Sequence, residues 1–567
     1  MRHLAKFVCC VAVAVTWVRP TAAQDLNPVL KQSLQRLIQT EQQLTPAQRS
    51  RLSSGLQMML ALAHRKLDGV SVAPDAGVRP RSAPLMRRSA PLPLSPAGSG
   101  PVAVSGGSLD YALSRAFGFS QNQTSTAWCG QNLVTGFNNT ATADEGLFNG
   151  QAISLGGVAY SHDGGQTFTD IGGLNAGTPV FNAAGGDPVV LCTSPSRFYY
   201  ASLFFTGVPI DEFSFNPQNG VAINISDDGG QTWSEPIPAV LADCCNQLFD
   251  REWLAVDPSN PSRLYLTYTT FAFNDTPDGP CPQDFSTTIE FVRSFDGGHT
   301  WSVPAQLALA CGGTSLQEVG ASQVAVGPGG QVYVSYLLQS LSNFDRKLLF
   351  RASADQGASF GIQTTIAQPT PIGIESILQG FFLGNEEPSM TVDTSNGPNR
   401  GAIYVVWADG RNRSTVEVLS PTGQYNFGDI LISKSSDSGA TWSAPVAASP
   451  TPPEFTGAGR DQFQPAVAVD ATGRVGVCYY DRSNDPENNL VDRFCSASTD
   501  GGASFPQRAR LTVSSWIPAH FVDFDLPSHT LSDYDTVARD ALGVSPGFFS
   551  AFQVEVNGNL NVQGGRF

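Results

Sequence analysis

Two hydrophobic periods divide the chain. Between residues 25 and 68, Leu30, Leu34 and Leu37 recur at helical spacing, and Leu52, Leu56, Met59, Ala63 and Leu67 form a second stripe behind Thr45-Pro46, an N-cap followed by proline at the first helical position. The spacing predicts a helical hairpin over 24–69. From Gln123 onward the period shortens to that of strands, with β-rich runs such as Leu264–Thr269 and Ile403–Trp407 bounded by turn residues. Between the two, residues 70–106 are rich in Pro, Ser, Ala and Arg and lack the apolar surface to fold alone, so they read as a linker. At the amino terminus, Arg2, His3 and Lys6 precede an apolar run from Phe7 to Val18 and the small residues Ala22 and Ala23. That is the form of an export signal over 1–23, too short to span a bilayer. The expected location is secreted or periplasmic, with no membrane span.

The strand-rich part is built on a repeat. Ser-x-Asp-x-Gly-x-Thr/Ser-Trp/Phe occurs six times, at Ser161–Phe168, Ser226–Trp233, Ser294–Trp301, Ser353–Phe360, Ser435–Trp442 and Ser498–Phe505, at intervals of 65, 68, 59, 82 and 63 residues. The aspartate can accept hydrogen bonds from the turn backbone, the glycine can take positive φ, and the closing aromatic can pack between sheets. The six aspartates are therefore turn staples with no catalytic role. These runs resemble the Asp boxes, or BNR repeats, of the sialidase superfamily over residues 107–567. The resemblance implies an all-β fold, an Asp-box β-propeller in which each box joins the third to the fourth strand of a blade.

A fainter repeat counts the blades. Gln123–Cys129, Asp187–Thr193, Arg251–Asp257, Ala321–Gly327, Glu387–Asp393, Gln464–Asp470 and Tyr534–Asp540 resemble innermost strands, giving seven units of about 66 residues. The seventh ends after about three strands, and its outer strand is expected from Val102–Phe119. A six-bladed ring, the count in sialidases, is the alternative.

Composition narrows the partners. With 41% hydrophobic and 14% charged residues, 56 Gly and 39 Pro, the chain is too turn-rich for a helical bundle and too apolar for disorder. Its net charge of −16 divides into +9 for residues 1–106 (13 basic, 4 acidic) and −25 for residues 107–567 (20 basic, 45 acidic). Nucleic acid is excluded as a partner of so acidic a domain. Eight cysteines follow the signal, an even number that suggests disulfides in an exported chain, with Cys478–Cys495 as the expected pair. No HExxH, GxSxG, P-loop or EF-hand spacing is present, so no metal and no cofactor is expected. Nothing sets an oligomeric state.

In a four-stranded meander the starts of the first strands share a face opposite the boxes. Gln123, Asp187, Arg251, Ala321, Glu387, Gln464 and Tyr534 should ring the channel there, with Asp250, Glu252, Glu386, Asp461 and Asp533 thickening an acidic rim and Arg411 and Arg482 on neighbouring loops. Polar starts also suit a water-filled channel, but an arginine, carboxylates and a tyrosine facing one space exceed what solvation requires. The sialidase resemblance implies Tyr534 as nucleophile with Glu387 or Glu252, Asp187 or Asp250 as acid, and Arg251, Arg411 and Arg482 on a sugar carboxylate, with Gln123 and Gln464 as further binding residues. The Arg-Ile-Pro run of sialidases is absent. Three readings stand: an exported exo-glycosidase acting on terminal acidic sugars of glycans, a non-catalytic propeller that binds glycans or proteins, and a polysaccharide lyase. Arginines each paired with a carboxylate would favour the binder.

Overall fold

The computed structural model describes residues 28–44, 49, 52–68, 121–143, 152–177, 182–209, 215–243, 247–273, 281, 285–312, 316–340, 342–343, 345–374, 377–380, 382–384, 387–413, 425–449, 459–518, 531–556 and 559–567. Thr45-Pro46, the signal and linker segments, Cys244, Cys245, Glu386 and the expected outer strand at Val102–Phe119 lie outside them.

Seven antiparallel sheets follow one another as the blades of a propeller, so the six-bladed alternative is set aside. Blade 3 is the regular pattern: Gln247–Asp257, Asn260–Phe273, Phe285–Ser294 and Ala305–Cys311 pair in sequence order. Blade 7 has three strands among the described residues, Val537–Arg539, Phe548–Val556 and Asn559–Arg566. It closes the ring on blade 1: Thr536 N donates to Thr124 O at 3.0 Å, Ala541 N to Trp128 O at 2.8 Å, and Gly130 N to Asp540 Oδ1 at 2.9 Å. Blade 2 departs from the pattern because Gly186, at φ +90°, and Pro188, which has no N–H, break its inner strand into Ala183–Ala184 and Val189–Cys192.

Each box joins the third strand to the fourth, and its hydrogen bonds repeat. In the fifth blade, Ser435 Oγ donates to Asp437 Oδ1 at 2.8 Å and accepts from Gly439 N at 2.8 Å, while Asp437 accepts from Thr441 N at 2.9 Å. The closing aromatic reaches the preceding blade: Trp442 meets Phe350 edge-on at 5.2 Å, and Phe360 meets Phe291 at 5.0 Å. Gly439 is required twice over, since its φ is +85° and a Cβ there would lie 1.9 Å from the Phe350 ring. The box thus fastens blade to blade as well as strand to strand.

Among the described residues, disulfides add three ties. Cys129–Cys192 links the inner strands of blades 1 and 2, Cys281–Cys311 lies within blade 3, and Cys478–Cys495 joins residues directly opposite on paired strands of blade 6. The helices α1 (Pro28–Glu41) and α2 (Ser54–Asp68) precede the ring and are joined by a 2.5 Å contact of His64 Nε2 with Glu41 Oε2. Among the described residues no helix is long and apolar enough to cross a membrane.

The box geometry predicts an order of cost. Gly439→Ala should destabilise the protein by more than about 2 kcal/mol, through positive φ and overpacking against Phe350. Asp437→Ala, which removes exposed turn bonds, should cost less. Urea unfolding of the two variants checks the order.

Candidate functional site

A backbone device aims the inner strands at the channel. Gln123, Asp187, Arg251, Ala321 and Gln464 all adopt positive φ, between 52° and 59°, although none is glycine. At four of them the ladder to the second strand skips two residues, between Asn122 and Ser125, Asp250 and Trp253, Gly320 and Gln323, and Phe463 and Ala466. These are β-bulges, each holding one residue in a left-handed conformation that costs about 1–2 kcal/mol. Strain repeated at equivalent positions of a ring is a feature of functional sites.

The bulges of blades 1 and 3, the break in the inner strand of blade 2 and the start of blade 7 bring Gln123, Asp187, Asp250, Arg251, Asp533 and Tyr534 into one cluster, joined by Glu387 of blade 5. Gln123 Nε2 donates to Asp187 Oδ1 at 2.6 Å. Arg251 is met by three carboxylates: Glu387 at Nη1, Asp533 Oδ1 at 3.5 Å and Asp250 Oδ2 at 3.8 Å. Glu252, 1% exposed, has neither carboxyl oxygen in hydrogen-bonding geometry with a donor. Tyr534 donates its hydroxyl to Pro188 O at 2.9 Å and packs edge-on against Trp253 at 5.3 Å.

Crowded, buried carboxyls hold their protons. Burial pushes Asp250 up to about 6 against the pull of Arg251 and the bonds from Ser53. Burial, then the charges of Asp250 and Asp533, push Asp187 well above the usual carboxylate range. Burial, then Asp187, does the same to Glu252. Tyr534 is raised by burial and then by Asp187 and Glu252, which keeps the phenol protonated.

The other candidates lie elsewhere. Arg411 folds back on its own blade, donating from Nε and Nη2 to Asp409 at 2.9 and 2.8 Å. Arg482, 1% exposed, pairs with Asp461 at 3.4 Å beneath the Phe463 ring. The three arginines therefore do not converge on one ligand, and each is paired with a carboxylate. Gln464 turns to Ser532 Oγ at 2.6 Å and Asp535 Oδ2 at 3.0 Å, within a buried network that includes Tyr480.

The space in front of the cluster is filled by α2. Ser53 N donates to Asp250 Oδ2 at 2.9 Å, Ser54 N and Oγ both donate to Asp533 Oδ2, and Gly55 N donates to Asp187 Oδ1 at 2.9 Å. Ser54 Oγ also meets Gln123 Oε1. The unpaired amides of a helix start carry partial positive charge, so carboxylates are their natural caps. Gly55 permits the approach: a Cβ there would lie 2.7 Å from Asp187 Oδ1 and 2.8 Å from Gly185 O. Behind this tip, Leu37, Leu44, Leu52, Leu56, Met58, Met59 and Leu60 are each 5% exposed or less and share one apolar cluster with Leu203, Phe205, Leu248 and Phe271 of blades 2 and 3. At roughly 1.5–3 kcal/mol per side chain the seven contribute on the order of 10–20 kcal/mol before ordering costs. A ligand with a Kd of about 1 mM contributes about 4 kcal/mol.

Sequence reasoning counted Asp533 only as a rim acid and did not connect Ser53, Ser54 and Gly55 with the site. Ser-Ser-Gly ahead of an apolar stripe is a readable helix start. A glycine inside the first turn was the further signal of a close approach.

The family model described as BNR/Asp-box repeat matches residues 225–235, at the second box. No curated protein matches the chain. Among solved structures it is similar to the alpha-L-arabinanase of Penicillium chrysogenum, at 16% identity over 68% of this chain and 94% of that one, with a TM-score of 0.41. It is also similar to a PL25 ulvan lyase, at 11% identity over 79% and 94% with a TM-score of 0.44. The sialidase of Trypanosoma rangeli is similar at 12% identity over 79% and 55%, with a TM-score of 0.34. Likenesses of this size carry no residue assignment. The boxes and the closed ring define the class, a β-propeller of seven blades that carries BNR/Asp-box repeats.

The site and the boxes predict opposite pH limbs. Asp250 is raised from 3.8 to about 6 on folding, so its contribution is full below about 4 and is lost as pH rises through about 6. Asp296, Asp437 and Asp500 are lowered to about 2 by hydrogen bonds from box hydroxyls and amides, so theirs is present above about 4 and lost as pH falls through about 2. Stability from urea unfolding should rise from pH 7 to about 5 and fall again below about 4. Asp250→Asn should flatten the upper limb by up to about 3 kcal/mol, the worth of a rise from 3.8 to about 6, and leave the acid limb in place.

Proposed function

We propose that this propeller acts on glycans as an exported exo-glycosidase whose chemistry is carried by the carboxyl groups at the channel mouth. The observation that carries the reading is the crowding of Asp187, Asp250, Glu252 and Asp533 at one place, with the Arg251 guanidinium between Asp250, Asp533 and Glu387. Glycoside cleavage needs a carboxyl that keeps its proton near neutrality and a second, ionised carboxylate that acts as nucleophile or base. Asp187 or Asp250 is the proposed acid, and Glu387 or Asp533 the proposed partner. Tyr534, with its proton held on Pro188 O, supports the wall of the site better than a nucleophile.

The proposed substrate is a neutral or amino sugar rather than sialic or uronic acid. The groups that occupy the cluster are N–H and O–H donors, as sugar hydroxyls and ammonium groups are. A sugar carboxylate would meet like charge, because Arg251 is engaged by three carboxylates and Arg411 and Arg482 each by one. The lyase reading falls with them, since it needs Arg251 for a uronate. The binding propeller remains the second reading, favoured by the pairing of all three arginines. The proposed setting is secreted or periplasmic, consistent with the three disulfides.

The test is turnover of p-nitrophenyl glycosides of neutral, amino, uronic and sialic type by the full chain and by its Gly55→Val form. Release from neutral or amino sugars, reduced by about 100-fold or more in Asp187→Asn, is the expected result. Release confined to acidic sugars would reverse the substrate class. No release from any of them, with binding on a glycan array, would establish the binding propeller.

A further inference from the structure

We propose that the α1–α2 hairpin is an inhibitory plug held in cis, whose tip occupies the carboxyl cluster in place of a ligand, so that the site opens when the hairpin is displaced as a unit. The inference rests on the reading above only for what the opened site then does.

Four donors from three consecutive residues, Ser53, Ser54 and Gly55, reach three different carboxylates that come from three different blades. A helix cap ordinarily needs one such acceptor. Three acceptors, spaced around a channel and matched one residue after another, make a receptor for a donor-rich group. The fit is tight on both sides. Gly55 has no room for a side chain against Asp187, and Gly186 of blade 2 approaches it so closely that a Cβ there would lie 3.2 Å from Gly55 Cα.

Charge favours the same seat: residues 24–69 carry +3 (6 basic, 3 acidic) and the propeller −25. The apolar face of the hairpin then anchors the tip, with Leu56, Met58 and Met59 completely buried. Burial on that scale outweighs what a weakly held sugar can contribute, so competition at the tip alone cannot open the site. Displacement has to act on the whole hairpin.

The experiment reads the carboxylates directly. The full chain, its Gly55→Val form and its Leu56→Asp form are treated with a water-soluble carbodiimide and glycine ethyl ester, and labelling is followed by peptide mass spectrometry. Gly55→Val fills the space at the tip, and Leu56→Asp buries a charge in the docking face. Exposed Asp227, with 68% of its side chain accessible, is the internal reference. In the full chain, Asp187, Asp250 and Asp533 should label at least about 10-fold more slowly than Asp227, and either variant should remove that protection while Asp227 is unchanged.

Equal labelling of the three aspartates in all forms would overturn the plug. So would the failure of both variants to fold, because the hairpin would then be part of the propeller's own core. Protection lost in a variant, with no glycoside released, would leave the plug standing and overturn the glycosidase reading. Turnover by the full chain at the rate of the variants, with protection intact, would overturn the plug and leave the glycosidase.

Discussion

Four carboxyl groups held together away from water form the constraint that organises the site face. Asp187, Asp250, Glu252 and Asp533 are each 9% exposed or less. In a medium of low polarity, like charges at short range repel far more strongly than at a surface. Their backbones cannot carry them apart, because each sits at or beside the inward start of an inner strand, with Asp187 itself and the Arg251 between Asp250 and Glu252 in left-handed conformation. The repulsion has three outlets in this protein. Protons stay on Asp187 and Glu252, and on Asp250 below about pH 6, the Arg251 guanidinium inserts among its neighbours, and the start of α2 supplies N–H and O–H donors. Raised pKa values and the seated helix are two responses to one electrostatic problem.

The opposite face obeys the reverse rule. There each aspartate stands near water and accepts several short hydrogen bonds from its own turn, which holds it ionised. The Asp296 carboxylate there finds its donors within its own turn and needs no distant partner. The rigid geometry of the boxes fixes the third and fourth strands and, through the aromatic and the glycine packed on the preceding blade, fixes the angle between blades. The strained bulges are tolerable on the other face because this frame over-determines the strands that carry them.

The same contrast explains what could be read from the amino-acid sequence. A box places donors and acceptors within eight residues, so Ser161–Phe168 and its five counterparts reveal turn, strand order and blade boundary at once. Aligning the inner strands on a common end gives seven positions, of which Gln123, Asp187, Arg251, Ala321 and Gln464 share one left-handed backbone and Glu387 and Tyr534 are the other two. Their contacts were beyond reach, because Gly55 and Asp187 are 132 residues apart, Ser53 and Asp250 197, and Ser54 and Asp533 479. The arginines were ambiguous for a related reason. Arg251, Arg411 and Arg482 each stand within two residues of an aspartate in the sequence. The fold gives Arg411 the Asp409 of its own hairpin and Arg482 the Asp461 of its own blade, and leaves Arg251 to meet the carboxylates of blades 5 and 7.

The direction in which α2 enters follows from the same electrostatics. A helix brought to the channel by its carboxyl end would present carbonyl oxygens to four carboxyl groups, and each contact would add repulsion. Entered by its amino end, it presents three successive amides and a serine hydroxyl, and the glycine of its first turn lets the backbone come within hydrogen-bonding distance of Asp187. Apolar burial along α1 and α2 supplies the strength of attachment but is indifferent to which end leads. The carboxyl cluster chooses the end, and by the same selection it prefers ligands that donate hydrogen bonds over ligands that accept them.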